Sequence, residues 1–133
     1  MPTHRSARFF AAALLAGLFA AGTARAATEA PYTQAAFATA QQQNKPVLIH
    51  VTASWCPVCA KQKPILAKLS ADPAYKDLQI FEVDFDTQKD LLRSMGVQKQ
   101  STFIAYHGTT ERARSTGETD EAAIRALLET SRG

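Results

Sequence analysis

The chain has 133 residues, two cysteines, and a formal charge of +3 from 15 basic and 12 acidic side chains. Arg5, Arg8 and Arg25 account for that excess, so the chain beyond residue 26 is electrically balanced. A neutral domain of this size offers no electrostatic footprint for nucleic acid or for an anionic membrane, and both partners are excluded.

The N-terminus reads as an export signal. His4, Arg5 and Arg8 form a basic region, Phe9 to Ala21 an apolar one, and Ala24-Arg25-Ala26 a small-x-small cleavage pattern. The apolar run of about 13 residues falls short of the roughly 20 that span a bilayer. The expectation is a signal peptide over 1–26 and one domain over 27–133, carried across the inner membrane into the periplasm. No stable membrane insertion is expected after cleavage.

In chain order, Ala27 to Pro31 reads as a loose lead-in and Thr33 to Gln43 as a helix anchored by Phe37. Val47 to Thr52 is apolar and β-branched, the pattern of a buried central strand. Pro57 suits a first helical turn, where a missing N–H costs nothing. The helix carries Ile65, Leu66 and Leu69 at helical spacing and is expected to bend at Pro64. Leu78 to Val83 alternates as a strand, and Lys89 to Met95 suits a short helix stopped by Gly96. Thr102 to Tyr106 and Glu111 to Ser115 read as a hairpin, and Thr119 to Thr130 as a helix with Ile124, Leu127 and Leu128 inward. His107 is expected to be solvated at the turn, and Glu82, Asp84 and Asp86 to form a solvated strand end. The order predicts an α/β fold, with a right-handed βαβ crossover, a closing hairpin, and a mixed four-stranded sheet sandwiched by helices.

Both cysteines lie in Trp55-Cys56-Pro57-Val58-Cys59, between the central strand and its helix. Strand, turn, Cys-x-x-Cys and helix is the layout of a thiol–disulfide redox site. Two thiols one helical turn apart can close into a disulfide. A purely structural bridge is disfavoured, because so short a loop gives little stabilisation. Cys56 at the helix start meets unpaired N–H groups that favour its thiolate, which makes it the candidate nucleophile. Cys59 is the candidate resolving thiol. Trp55 is placed to cover the pair, and Pro57 to tune thiolate stability.

Four stretches make the chain resemble the thioredoxin-fold family: Lys45 to Thr52, Ala53 to Cys59, Phe81 to Asp86, and Gly96 to Gly108. Pro64 stands at the helix-kink position usual there, five residues after Cys59. The N-terminal signal and Val83-Asp84-Phe85-Asp86 make it similar to periplasmic thioredoxin-like reductases. Three departures accompany the likeness. Ser101 stands before Thr102 where thioredoxins carry a cis-proline. Because a non-proline cis bond costs about 2.5–4 kcal/mol, the Gln100–Ser101 bond is expected to be trans or its loop remodelled. His50 stands where thioredoxins bury a proton-transferring Asp, so it is either a core residue or the proton acceptor for Cys59. Ile80 is aligned with the Lys that partners that Asp.

The resemblance implies a thiol:disulfide oxidoreductase that exchanges electrons with protein thiols and disulfides, with no cofactor beyond the cysteines. Reduction is favoured over oxidation, fed by a membrane electron donor. The alternative is a soft-metal or cluster-binding module using Cys56 and Cys59, which leaves a tetrahedral site half filled.

Overall fold

The computed structural model describes Gly22, Thr23 and residues 25–133, so most of the expected export signal lies outside the described residues. Among the described residues no helix is long and apolar enough to cross a membrane.

The central strand, β2 (Pro46–Thr52), is buried from Val47 onward because it is paired on both sides and covered on both faces. It runs parallel to β3 (Gln79–Asp84) and antiparallel to β4 (Thr102–His107), which pairs in turn with β5 (Thr110–Thr116). Helix α2 (Pro57–Ser70) and a single 3-10 turn at Pro73–Tyr75 form the crossover from β2 to β3. Pro64 lies inside α2 without interrupting it.

The sheet has five strands rather than the expected four. The lead-in forms β1 (Thr28–Pro31), parallel to β3 on its free edge, giving the order β1-β3-β2-β4-β5. Backbone pairing and one anchor make this strand. The Thr28 N–H donates to Leu78 at 3.0 Å, the Tyr32 N–H to Glu82 at 2.8 Å, and the Tyr32 ring is buried just beyond. An edge strand with mostly solvent-facing side chains needs no apolar alternation, so Thr28-Glu29-Ala30-Pro31 carried no strand pattern.

Because side chains alternate along a strand, β2 divides the core in two. Val47, Ile49 and Val51 face α1 (Gln34–Gln42) and α3 (Lys89–Ser94), meeting Phe37, Ala40 and Leu92. Leu48 faces α2 and α4 (Glu121–Thr130), meeting Leu66, Leu69, Ile124 and Leu128. His50 falls on this second face, its ring 4.6 Å from that of Phe103.

Thr33 and Asp120 cap α1 and α4 by accepting the N–H groups of Ala36 and Ala123, as short polar side chains do at helix starts. Phe37 joins Tyr32, Phe81 and Tyr106 in edge-on or tilted aromatic contacts with centroids 5.4–6.1 Å apart. Truncating that ring leaves a cavity as well as lost transfer energy. Phe37→Ala is therefore expected to lower unfolding stability by about 3–5 kcal/mol, read from the shift in urea midpoint.

Candidate active site

β2 delivers the chain to the top of the sheet at Thr52, and the turn Ala53–Trp55 closes with the Cys56 N–H donating to the Ala53 carbonyl at 3.1 Å. Cys56 is the N-cap of α2: its backbone is extended (φ −84°), and its Sγ accepts the Cys59 N–H at 3.1 Å. A sulfur here takes the place of the usual Ser or Asp cap oxygen. Pro57 follows in the first turn, where it sacrifices no hydrogen bond. Cys56 and Cys59 form a disulfide with Cα atoms 5.3 Å apart. Exposure hardly separates the two sulfurs, at 3% and 1% for the residues; position along the helix does. Cys56 meets the unpaired N–H groups and the positive end of the helix dipole. Cys59 lies in the first turn, its Sγ 4.0 Å from the Val51 carbonyl.

Among the described residues Trp55 is the large apolar side chain left exposed, at 56%. It is nonetheless held: its Nε1 donates to Asp86 Oδ2 at 2.8 Å, and its ring meets Phe85 edge-on at 6.4 Å. Asp84 Oδ1 accepts the N–H groups of Asp86 and Thr87, and these bonds keep its carboxyl below the usual range. Glu82 pairs with Lys63 at 3.4 Å. The acids expected as a merely solvated strand end therefore each hold something: a turn, a tryptophan, a lysine.

Beneath the first turns of α2 lies a buried polar network. His50 is fully buried; its Nε2 is 3.0 Å from Gln62 Oε1, while its Nδ1 has no partner. Gln62 Nε2 donates to the Ser101 carbonyl at 3.0 Å and to the Glu118 carbonyl at 2.9 Å. Desolvation lowers the His50 pKa; the Gln62 bond and the Glu82 charge oppose that shift, and the Lys63 charge assists it. The strand register also corrects the alignment of Ile80. The β3 residue opposite His50 is Glu82, and Ile80 lies opposite Leu48, because parallel pairing puts Val47 against Gln79. Gln62 was not singled out in the sequence, although a signal was there. Positions 59, 62, 66 and 69 form the inner stripe of α2, and glutamine is its one amide.

The loop before β4 is remodelled around Ser101. Among the described residues there is no cis peptide bond, so the Gln100–Ser101 bond is trans, and Ser101 takes φ +58°. Its N–H donates to the Val51 carbonyl at 2.8 Å, and its carbonyl accepts the Gly117 N–H at 2.9 Å. Thr102 Oγ1 donates to the Lys99 carbonyl at 2.8 Å and lies 2.9 Å from Thr116 Oγ1. Proline offers neither an N–H nor a positive φ, so it does not fit this backbone. His107 also departs from expectation. It is half-buried, tying the hairpin to the Ser131 carbonyl (2.8 Å) and to Asn44 (3.2 Å). Among the described residues no three His, Cys, Asp or Glu side chains gather as a metal site, so the soft-metal alternative has two sulfurs and no third ligand.

A helix-capping cysteine joined to a second one turn later, at the end of a central strand, defines a dithiol–disulfide exchange centre. The family-level comparisons agree: the thioredoxin profile matches residues 28–130, and the chain belongs to the thioredoxin family. A thioredoxin of Mycobacterium tuberculosis is 32% identical over 93 residues, spanning 69% of this chain and 79% of its own length. The crystal structure of Trxlp from Edwardsiella tarda EIB202 superposes with TM-score 0.73 at 48% identity, covering 76% of this chain and 97% of that one. Malassezia sympodialis thioredoxin, at 22% identity and TM-score 0.70, shares the fold. The chain is a thiol:disulfide oxidoreductase with Cys56 and Cys59 as its redox pair.

Trp55 is the sole tryptophan, so fluorescence reports its tether directly. Asp86→Ala is expected to shift the emission and increase quenching by added iodide. Unfolding stability should change by no more than about 0.5 kcal/mol, because the contact is at the surface. Burial of His50 gives a second expectation. Its folded pKa lies below that of the unfolded chain, so the unfolded state binds the extra proton as pH falls through about 6.5. The stability held by neutral His50 is complete above that value and is lost as pH drops through it. Urea titrations of the oxidised protein between about pH 8 and pH 5.5, above the carboxylate range, should show this decline. His50→Gln should flatten it.

Proposed function

We propose that the chain is an exported reductant of protein disulfides, with Cys56 attacking and Cys59 resolving. The observation that carries the assignment is the Cys56 Sγ at the N-cap of α2, where it accepts the Cys59 N–H. After reduction the same N–H stabilises a Cys56 thiolate, the species that attacks. The thiolate forms a bond to one sulfur of a partner disulfide and expels the other as a thiolate. Cys59 then gives up its proton and attacks Cys56 Sγ, closing the intramolecular disulfide and releasing the second partner sulfur. Two electrons pass from the dithiol to the partner, and no organic cofactor is required. His50, the buried ring beneath the first turns of α2, receives the Cys59 proton. Trp55 forms the exposed wall beside the attacking sulfur.

The basic, apolar and small-residue pattern of residues 1–26 supports export to the periplasm and cleavage before Ala27. Near-complete burial of both sulfurs supports the reducing direction. It disfavours thiolates and so favours the disulfide that a reductant leaves behind. Electrons then return from a membrane dithiol donor.

Cys56→Ser should abolish insulin reduction, and Cys59→Ser should accumulate mixed disulfides that non-reducing gels resolve. If Cys59 proved to be the thiol alkylated first in the reduced native protein, the two roles would be exchanged. Equilibration with glutathione should place the pair nearer the roughly −270 mV of a reducing thioredoxin than the roughly −120 mV of a strong oxidant. A value at the oxidising end overturns the direction. Periplasmic extracts should contain a chain beginning at Ala27 by mass spectrometry.

A further inference from the structure

We propose that Gln62 is a positioning residue for His50: it fixes the imidazole as the Nε2–H tautomer, leaving Nδ1 as the one lone pair able to take a proton. The inference deepens the reading of His50 as proton acceptor and rests on it.

The orientation of the Gln62 amide follows from its neighbours. Nε2 lies 3.0 Å from the Ser101 carbonyl and 2.9 Å from the Glu118 carbonyl, and only an NH2 group serves two carbonyl acceptors at once. With the amide nitrogen committed to those two oxygens, Oε1 is turned to His50 Nε2 at 3.0 Å. An amide oxygen only accepts, so the imidazole must donate through Nε2–H. Neutral imidazole carries one N–H, so the other nitrogen, Nδ1, bears the lone pair. Nδ1 is buried and has no hydrogen-bond partner. Such a group normally costs stability, and at a reacting centre it is a basic atom held ready.

The two anchoring carbonyls belong to separate segments, the loop before β4 and the turn before α4. Flipping the amide would set its oxygen against both of them, so the tautomer is held from outside the ring. The other groups around His50 do not fix it. Phe103 of β4 lies tilted against the ring with centroids 4.6 Å apart and offers no polar atom. Glu82 of β3 and Lys63 of α2 act through charge, in opposite directions, and pair with each other at 3.4 Å. Cys59 precedes Gln62 by three residues on α2, so the resolving sulfur and the positioning amide belong to one rigid turn.

In the resolving step the Cys59 S–H proton reaches Nδ1 by relay through a water molecule, since neither sulfur is hydrogen-bonded to that nitrogen in the disulfide form. This gives an imidazolium whose Nε2–H stays on Gln62. The Cys59 thiolate bonds to Cys56 Sγ, and the Cys56–partner bond breaks with its electron pair leaving on the partner sulfur. The imidazolium then releases its proton to solvent, from which the departing thiolate is protonated. Two electrons and one proton are thereby accounted for.

The test uses the full domain labelled with 15N, in which ring nitrogens bearing a proton are distinguished from those bearing a lone pair. Wild type should show a protonated Nε2 and a bare Nδ1 at neutral pH; a protonated Nδ1 overturns the proposal with no variant needed. Gln62→Met keeps side-chain length but removes the acceptor and both donors. It should give a mixed tautomer and slow release of a mixed-disulfide partner by about two- to tenfold, the range of one net hydrogen bond. An unchanged tautomer in Gln62→Met, alongside slowed resolution in His50→Ala, overturns the role of Gln62 and leaves His50 as the acceptor. Parental resolution rates in folded His50→Ala and Gln62→Met together overturn both.

Discussion

The central strand β2 is bonded to β3 on one side and β4 on the other, and is closed off by helices above and below. Every other element of the site is referred to it. Its end sets where Cys56 begins the helix, its Val51 carbonyl receives the Ser101 N–H, and the same carbonyl lies 4.0 Å from the Cys59 sulfur. Its alternation puts His50 under α2 rather than under α1. A one-residue slip of this strand would send every one of those groups to the wrong face.

Replacing proline by serine at the loop before β4 changes more than one peptide bond. Ser101 brings an N–H, and that N–H is spent on Val51, while its carbonyl is taken by Gly117 and Gln62. The left-handed backbone at Ser101 is unusual for a residue with a Cβ, and it is the surrounding bonds that hold it there. Reintroducing proline therefore does not simply restore a family feature, because this backbone uses the Ser101 N–H and a positive φ, and Gln62 reaches across from α2 to the Ser101 carbonyl. His50, Gln62 and Ser101 form one hydrogen-bonded group that joins β2, α2 and the loop before β4.

Much of this was legible beforehand. The two cysteines, their spacing and the flanking apolar run located the redox pair, since that chemistry depends on local geometry that the motif encodes directly. The eight principal elements followed from periodicity, because buried faces impose it. What escaped notice depended on side chains meeting from distant segments. β1 has almost no buried side chain to advertise it, and Glu82 became the neighbour of His50 only through strand register. Asp86 and Trp55 meet across 31 positions, and Gln62 and Glu118 across 56. A glutamine on an inner helical stripe was the one local clue to the network, as a buried amide must find partners.

The cap at Cys56 links two quantities usually measured separately. The Cys59 N–H that caps the helix is also a hydrogen bond to sulfur, and it is stronger to a thiolate than to a disulfide. Burial of the same sulfur works against the thiolate. Whatever balance these reach, it enters a closed thermodynamic cycle of folding and oxidation. Oxidised and reduced chains must therefore unfold with free energies that differ by the same amount as the potentials of the folded and unfolded dithiols. For a two-electron couple, about 30 mV corresponds to about 1.4 kcal/mol. A denaturation curve recorded with and without reductant is, for this domain, an electrochemical measurement of its first helical turn.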